Sequence, residues 1–143
     1  MSNAEALAGA FAGWGKDNPA NLRELLHPHC ELVVPESLPY GGTFRGADAV
    51  IAWFTRDLWR WYDEFASTPE GFIDAGDRIV VPVHVQARAL SGKTVDVHNV
   101  WIYEFSDGEL TRGRVYADTA ALRDAVIGVS VRPRPFASPP IDA

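Results

Sequence analysis

The sequence predicts one α+β domain in which helices cover the concave face of a curved, mostly antiparallel β-sheet. Helical patterns come first along the chain and long strand patterns follow, whereas a parallel α/β fold would alternate them. The long strands are joined by the tight turns 91–93 and 106–109, which are typical of antiparallel hairpins. Because such a sheet twists and curls, helices on its concave side leave a cone-shaped cavity.

Four helices are predicted, and the third is the longest. The helical patterns cover residues 2–15, 19–27, 47–65 and 118–126. In the first helix, Ser2 and Glu5 match a capping box. Leu7, Phe11 and Trp14 then recur at helical spacing and give this helix one apolar face. The third helix has a wide aromatic stripe, which we expect to pack on the concave face of the sheet.

The predicted sheet has about four to six strands. Strand patterns cover residues 31–34, 71–74, 78–90, 94–105 and 110–117, and a glycine-containing loop covers residues 36–46. We place the domain at residues 1–128. Residues 129–143 contain four of the ten prolines and are predicted to form a tail outside the domain.

Composition and charge exclude several classes of protein. The net charge is −6 and the 13 Lys and Arg residues are spread along the chain, so we expect no nucleic-acid or membrane partner. Cys30 is the single cysteine, which excludes an intrachain disulfide, and we interpret it as a small buried hydrophobe. No signal-peptide pattern and no apolar run of ~20 residues is visible, so we expect a cytoplasmic location.

Three segments of the sequence together resemble the SnoaL-like family of the NTF2-like superfamily. Residues 39–46 (PYGGTFRG), followed by a helix with Val50 and Trp53, are similar to the loop-and-helix signature of that family. Residues 100–110 (VWIYEFSDGEL) resemble its strand, turn and strand, and residues 115–118 (VYAD) resemble the end of its last strand. The resemblance covers roughly residues 4–126 and depends on the order and spacing of these motifs.

The resemblance implies a cone-shaped fold with a pocket between helices and sheet, and a dimer packed through the sheet. Ketosteroid isomerases of this superfamily place a carboxylate base where this chain has Val34, with Glu36 two residues later. Steroid isomerisation is therefore not expected. Polyketide cyclases of the superfamily have an acid/base aspartate near the end of the last strand, and Asp118 matches that position. Because the superfamily also includes non-catalytic binders, the fold alone does not assign an activity.

Alternation along the strands sorts the candidate site residues by face. Asn99, Trp101 and Tyr103 share one face of their strand, and Arg114, Tyr116 and Asp118 share one face of the last strand. We predict that one cavity is lined by Phe11, Trp14, Tyr40, Trp53, Phe54, Asn99, Trp101, Tyr116 and Asp118.

Asp118 is the candidate acid/base, and Tyr40 and Tyr116 are candidate hydrogen-bond donors to a substrate carbonyl. Arg114 is a candidate for orienting an anionic group of the ligand. Each has a structural alternative: Asp118 followed by Thr-Ala-Ala is also a good helix N-cap, the tyrosines can serve as packing residues, and Arg114 can be a solvated residue of the sheet face.

The four histidines of the chain form two pairs, and neither pair is interpreted as a metal site. His27-Pro28-His29, with Cys30 and Glu31 beside it, has the residue types of a zinc site, but neighbouring positions on one element rarely converge on an ion. His84 and His98 are interpreted as residues of a strand face at a dimer interface, with action as bases as the alternative. We expect no metal and no cofactor.

Two functions remain open from the sequence. The first is a cofactor-independent enzyme that isomerises, cyclises or dehydrates a hydrophobic carbonyl compound, with Asp118 as acid/base. The second is a ligand-binding or interaction domain that uses the same aromatic pocket without catalysis. In both, the partner is a small hydrophobic molecule. We also predict a homodimer packed through the sheet face that bears Val80, His84, Val100 and Ile102, because an exposed apolar patch usually marks an interface.

Overall fold

The computed structural model describes residues 1–127. Its helices are α1 (Asn3–Phe11), α2 (Leu22–Leu25), α3 (Ala47–Ala52) and α4 (Thr119–Val126), and α3 continues through a π-helical segment (Trp53–Asp57) and a 3₁₀ turn (Leu58–Arg60). Its strands are β1 (Leu26–Val34), β2 (Gly42–Arg45), β3 (Tyr62–Pro69), β4 (Ile73–Asp74), β5 (Arg78–Ala89), β6 (Thr94–Ser106) and β7 (Glu109–Tyr116). The predicted tail at 129–143 and the domain boundary before it lie outside the described residues.

The described strands form one seven-stranded sheet with the order β2-β1-β7-β6-β5-β3, and β4 pairs with β5. All of these pairs are antiparallel except β1 with β7. The α+β class and the mostly antiparallel sheet are therefore confirmed. The strand count is higher than predicted, because β2 and β3 arise in segments that the sequence analysis had assigned to a loop and a helix.

Long strands β5, β6 and β7 match their predicted ranges to within one residue and form the centre of the sheet. Their side chains alternate between buried and exposed positions, so one face of the sheet is covered. Leu7 of α1 and Leu58 of the 3₁₀ turn are each 1% exposed and pack into the core on that concave face. We call the opposite face of the sheet the outer face.

The prediction of a helix over residues 47–65 is wrong at its C-terminal end. The helical segment ends at Arg60, and β3 begins at Tyr62. Pairing with β5 shifts between Tyr62 and Glu64, which is a β-bulge. A bulge adds one residue to a strand, so the inward side chains of Tyr62 and Phe65 lie three residues apart and imitate helical spacing.

The first two helices are also shorter than predicted. The capping box is confirmed, because the Ser2 hydroxyl accepts from the Glu5 amide and the Glu5 carboxylate accepts from the Ser2 amide. However, α1 ends at Phe11, and Gly13 then adopts a φ of +83° that turns the chain. The second helix is a single turn, and β1 starts at Leu26, before Pro28. The pairing of β1 with β7 is irregular after Leu26, which accommodates a proline without an N–H.

No helix within residues 1–127 is long and apolar enough to cross a membrane. The cytoplasmic location stays a prediction.

Candidate functional site

A cavity of about 240 Å³ lies between α1, the π-helical segment and the concave face of the sheet. Seven of the nine residues predicted to line one cavity do so: Phe11, Trp14, Tyr40, Trp53, Phe54, Asn99 and Trp101. Most of the remaining wall is aliphatic. None of the described lining residues is an Asp, Glu, His, Lys or Arg.

Aromatic rings in mutual contact form the walls. The rings of Trp101 and Tyr103 stack with centroids 5.3 Å apart, and Trp53 packs edge-on against Phe54 at 4.9 Å. Phe54 lies 5.9 Å from Trp101 and connects these two pairs. Such contacts fix the rings in place, so the cavity presents flat and rigid apolar surfaces.

The loop between β1 and β2 brings Tyr40 into the wall. Gly41 makes this possible, because a Cβ built there would lie 1.8 Å from the Pro35 carbonyl oxygen. The indole N–H of Trp53 donates to the carbonyl of Tyr40 at 2.8 Å. The Tyr40 hydroxyl is 2.7 Å from that of Tyr62, and either one can donate. The predicted donor Tyr40 therefore lines the cavity, with its hydroxyl already paired.

Burial keeps the tyrosines of this region protonated. Burial raises the pKa of Tyr62 to about 12, and it raises the pKa of Tyr40 and of Tyr103 above the ordinary value. At neutral pH these hydroxyls are therefore hydrogen-bond donors and acceptors, and they do not act as bases.

Asn99 is the one buried polar or charged residue of the described core, at 6% exposure. Its Oδ1 accepts from the backbone N–H of Asp118 at 3.0 Å, and this bond identifies which end of the amide is the oxygen. Within the described residues, nothing accepts from its Nδ2 group. That amide nitrogen is not among the fully buried unpartnered atoms, so it is accessible from the cavity that Asn99 lines and can donate to a molecule there.

Two further donors follow Asn99 on the same face of β6. In the described part of the chain, no group hydrogen-bonds to the indole N–H of Trp101 or to the hydroxyl of Tyr103. Tyr103 lies close over β7 because Gly113 is beneath it, where an added Cβ would be 3.0 Å from the ring. Alternate residues of a strand are ~6.7 Å apart, so three residues that each have a donor group follow one another along the cavity wall.

Tyr116, Asp118 and Arg114 lie outside this cavity, so the prediction that Tyr116 and Asp118 line it is wrong. The inward face of β7 presents Gly113 and Val115, and alternation turns Arg114 and Tyr116 to the outer face. There they line an open groove together with Asp118, and the Arg114 guanidinium lies 5.5 Å from the centre of the Tyr116 ring.

Asp118 occupies the N-cap of α4. Its Oδ1 accepts from the backbone N–H of Ala121 at 3.2 Å, which is the structural alternative weighed from the sequence. Ala117, the residue before it, lines both the cavity and the outer groove. Asp118 is thus at the rim of the cavity, and its catalytic role stays a prediction.

Val34 lines the cavity at the position where the resemblance implies the base of ketosteroid isomerases, while Glu36 lies in the outer groove. Cys30 is fully buried, and burial raises the pKa of its thiol, in agreement with its interpretation as a small core residue. Sequence reasoning missed Tyr62 and did not assign a role to Tyr103. The alternation Asn99-Trp101-Tyr103 was the signal available for Tyr103.

The chain is similar in sequence to mycobacterial proteins. A protein of Mycobacterium tuberculosis, the uncharacterized protein Rv0034, is 28% identical over 112 residues, which cover 78% of this chain and 86% of that protein. The uncharacterized protein Mb0035 of Mycobacterium bovis matches to the same extent.

Solved structures give the fold. An NTF2-like protein of unknown function from Burkholderia pseudomallei is 26% identical, with a TM-score of 0.77 over 89% of this chain and 99% of that one. TerC, whose crystals were grown with polyporic acid, is 27% identical, with a TM-score of 0.78 over 87% of this chain and 97% of that one. The model of the SnoaL-like domain matches residues 7–113. The chain therefore belongs to the SnoaL-like domain family and has the cone-shaped fold of NTF2-like proteins.

Proposed function

We propose that this protein binds a flat, hydrophobic small molecule with one or more acceptor oxygens in the aromatic cavity. The observation that carries the proposal is the amide of Asn99. Its oxygen is fixed by the backbone of Asp118, and its N–H₂ group has no partner in the described protein. A ligand acceptor oxygen in the cavity can take the hydrogen bond that this N–H₂ group otherwise gives to water.

The size and walls of the cavity define the class of ligand. A volume of about 240 Å³ corresponds to about eight water molecules at liquid density. The stacked rings of Trp101 and Tyr103 offer a flat surface that suits an aromatic ligand of about two or three fused rings. The structure of TerC with polyporic acid is consistent with an organic small molecule as the partner of this fold.

Binding is favoured over proton transfer because the described cavity wall holds no ionisable acid or base at neutral pH. Val34 stands where a base is expected from the resemblance, and the buried tyrosines keep their protons. The wall instead supplies donors, which orient an acceptor without removing a proton from it.

Acid/base catalysis by Asp118 is the second candidate, and the position of its backbone favours it. Ala117 lines the cavity and directly precedes Asp118, and the backbone N–H of Asp118 donates to the side chain of Asn99, which also lines the cavity. Asp118 therefore lies next to the cavity wall. With a substrate in hand, Asp118→Asn should lower turnover by about 10² or more while leaving the helix cap largely intact. Unchanged turnover would remove Asp118 from the mechanism and leave binding as the function.

The binding proposal is tested with 9-fluorenone, a flat three-ring ketone. The cavity tryptophans report its entry through quenching of their fluorescence. Ala12 lines the cavity yet is exposed, so it marks the opening, and Ala12→Phe should weaken binding at least about tenfold. Ala66→Phe on exposed β3 is the matched control and should bind normally. Equal affinity in both variants would place the ligand elsewhere and contradict the proposal.

We also propose that two copies pack through the outer face of the sheet. Val80 and Ile102 are paired across β5 and β6, Val100 pairs with Tyr116, and Tyr116 is 53% exposed. An apolar patch of this kind usually marks an interface. Sedimentation should give a dimer at micromolar concentration and a monomer for Ile102→Glu. A monomeric unmodified protein would contradict the proposal.

A further inference from the structure

The outer face also holds a cluster of metal-binding side chains. We propose that His84, Asp96 and His98 form a binding site for a divalent transition-metal ion of the Zn²⁺ or Ni²⁺ type, oriented by Glu70. The site is separate from the aromatic cavity and does not depend on the proposed ligand.

Strand register brings the two histidines together. His84 and His98 are direct partners across β5 and β6, and alternation turns both to the outer face. Their rings stack with centroids 4.6 Å apart and planes 8° from parallel. Thirteen residues lie between them, and the predicted hairpin turn at 91–93 did not fix the register that makes them direct partners.

Asp96 completes a set of donors that binds these metals. Its Oδ1 lies 2.7 Å from Nε2 of His84, and it precedes His98 by two residues on the same face of β6. One ligand atom from each of the three residues lies within 4.8 Å of the others. Two ligand atoms of a tetrahedral Zn²⁺ are about 3.4 Å apart, which is less than the largest distance in this set. Because the three side chains are exposed or half-buried, small rotations can bring their ligand atoms to that spacing.

Glu70 provides the supporting contact that metal-binding histidines typically have. Its Oε1 lies 3.1 Å from Nδ1 of His98. When Nδ1 donates to this carboxylate, Nε2 of His98 carries the lone pair and is available to an ion. Such a second carboxylate orients the ring and increases its basicity toward the metal.

Charge and access favour a cation at this place. Two carboxylates, those of Asp96 and Glu70, accompany two imidazoles, so a divalent ion balances the local charge. In the single chain the side chains of His84 and His98 are 30% and 62% exposed, so an ion can reach the ligand atoms before two copies pack through this face. Imidazole and carboxylate together suit first-row ions such as Zn²⁺ and Ni²⁺.

The test is calorimetric titration of the tag-free, chelator-treated protein with ZnCl₂ and with NiCl₂, accompanied by metal analysis after gel filtration. His84→Ala and His98→Ala should each weaken binding about 100-fold, and Glu70→Gln about tenfold. The matched control is the double variant His27→Ala/His29→Ala, which removes the other two histidines of the chain and should bind normally. Circular dichroism verifies that each variant is folded.

Two results would overturn the proposal. One is no binding of either ion by the unmodified protein at about 100 µM. The other is binding that survives in His84→Ala and is lost in the His27/His29 double variant, which would assign the ion to the other pair.

Discussion

Replacement of Asn99 by aspartate separates its two roles in the cavity. The change keeps the size of the side chain and an oxygen that accepts from the backbone N–H of Asp118. It removes the N–H₂ group, which is the donor that we assign to the ligand. Asn99→Asp should therefore leave the fold intact and weaken the binding of an acceptor such as 9-fluorenone.

The expected loss follows from the chemistry of the exchanged groups. A neutral hydrogen bond contributes about 0.5–1.5 kcal/mol, which corresponds to about 2- to 13-fold in affinity. At pH 8 the introduced carboxylate also repels the ligand oxygen in an apolar site, so we expect a loss of at least about tenfold. Near pH 4 the carboxyl group is protonated and its O–H donates again, so affinity should return to within about threefold.

Quenching of tryptophan fluorescence at the two pH values measures both effects. Asn21→Asp is the matched control, because it adds the same charge at an exposed position whose side chain makes no capping bond. An equal loss in the control, or unchanged affinity of Asn99→Asp at pH 8, would refute the assigned donor.

Three further predictions concern stability and are measured by urea unfolding. Gly41→Ala should lower the free energy of unfolding by more than about 2 kcal/mol, because the new Cβ would meet the carbonyl oxygen of Pro35; a loss below this contradicts the close approach. Raising the pH should destabilise the fold, because tyrosine titrates near pH 10 when unfolded and Tyr62 titrates near 12 when folded. The contribution of Tyr62 to the free energy of unfolding is complete below about pH 10 and is lost toward pH 12, a loss of about 3 kcal/mol for Tyr62 alone. A free energy of unfolding that stays constant between these pH values would exclude the burial of Tyr62. Asp118→Ala should lower the free energy of unfolding by about 1 kcal/mol, and Asp118→Asn should lower it less, because Asn also caps a helix well and Ala does not. Equal losses in the two variants would argue against the N-cap role of Asp118.

The sequence predicts the central strands of the fold well, because their alternation is regular and their turns contain the expected residues. Its errors occur where local geometry departs from the regular period. The bulge between Tyr62 and Glu64 makes a strand resemble a helix, and the contact that stabilises it is pairing with β5, far along the chain. Such long-range pairing is not visible in a local pattern.

Of the nine residues predicted to line one cavity, the two that do not line it, Tyr116 and Asp118, are the last residue of β7 and the N-cap that follows it. Alternation shows that Arg114, Tyr116 and Asp118 share a face, and it cannot tell which face of the sheet this is. Gly113 and Val115 are the inward residues of β7: Tyr103 lies over Gly113 and leaves no space for a side chain there, and Val115 lines the cavity. Asp118, which follows the strand, caps α4 at the rim.

Comparison of 9-fluorenone with fluorene tests the central claim most directly. The two molecules share the same flat ring system, and the ketone has the acceptor oxygen that fluorene lacks. Since fluorene is the more hydrophobic of the two, an apolar cavity without donors would bind it more tightly. Our account predicts that the unmodified protein binds the ketone at least about fivefold more tightly and that Asn99→Asp loses this preference at pH 8. Equal or tighter binding of fluorene, or no binding of either molecule, would contradict it.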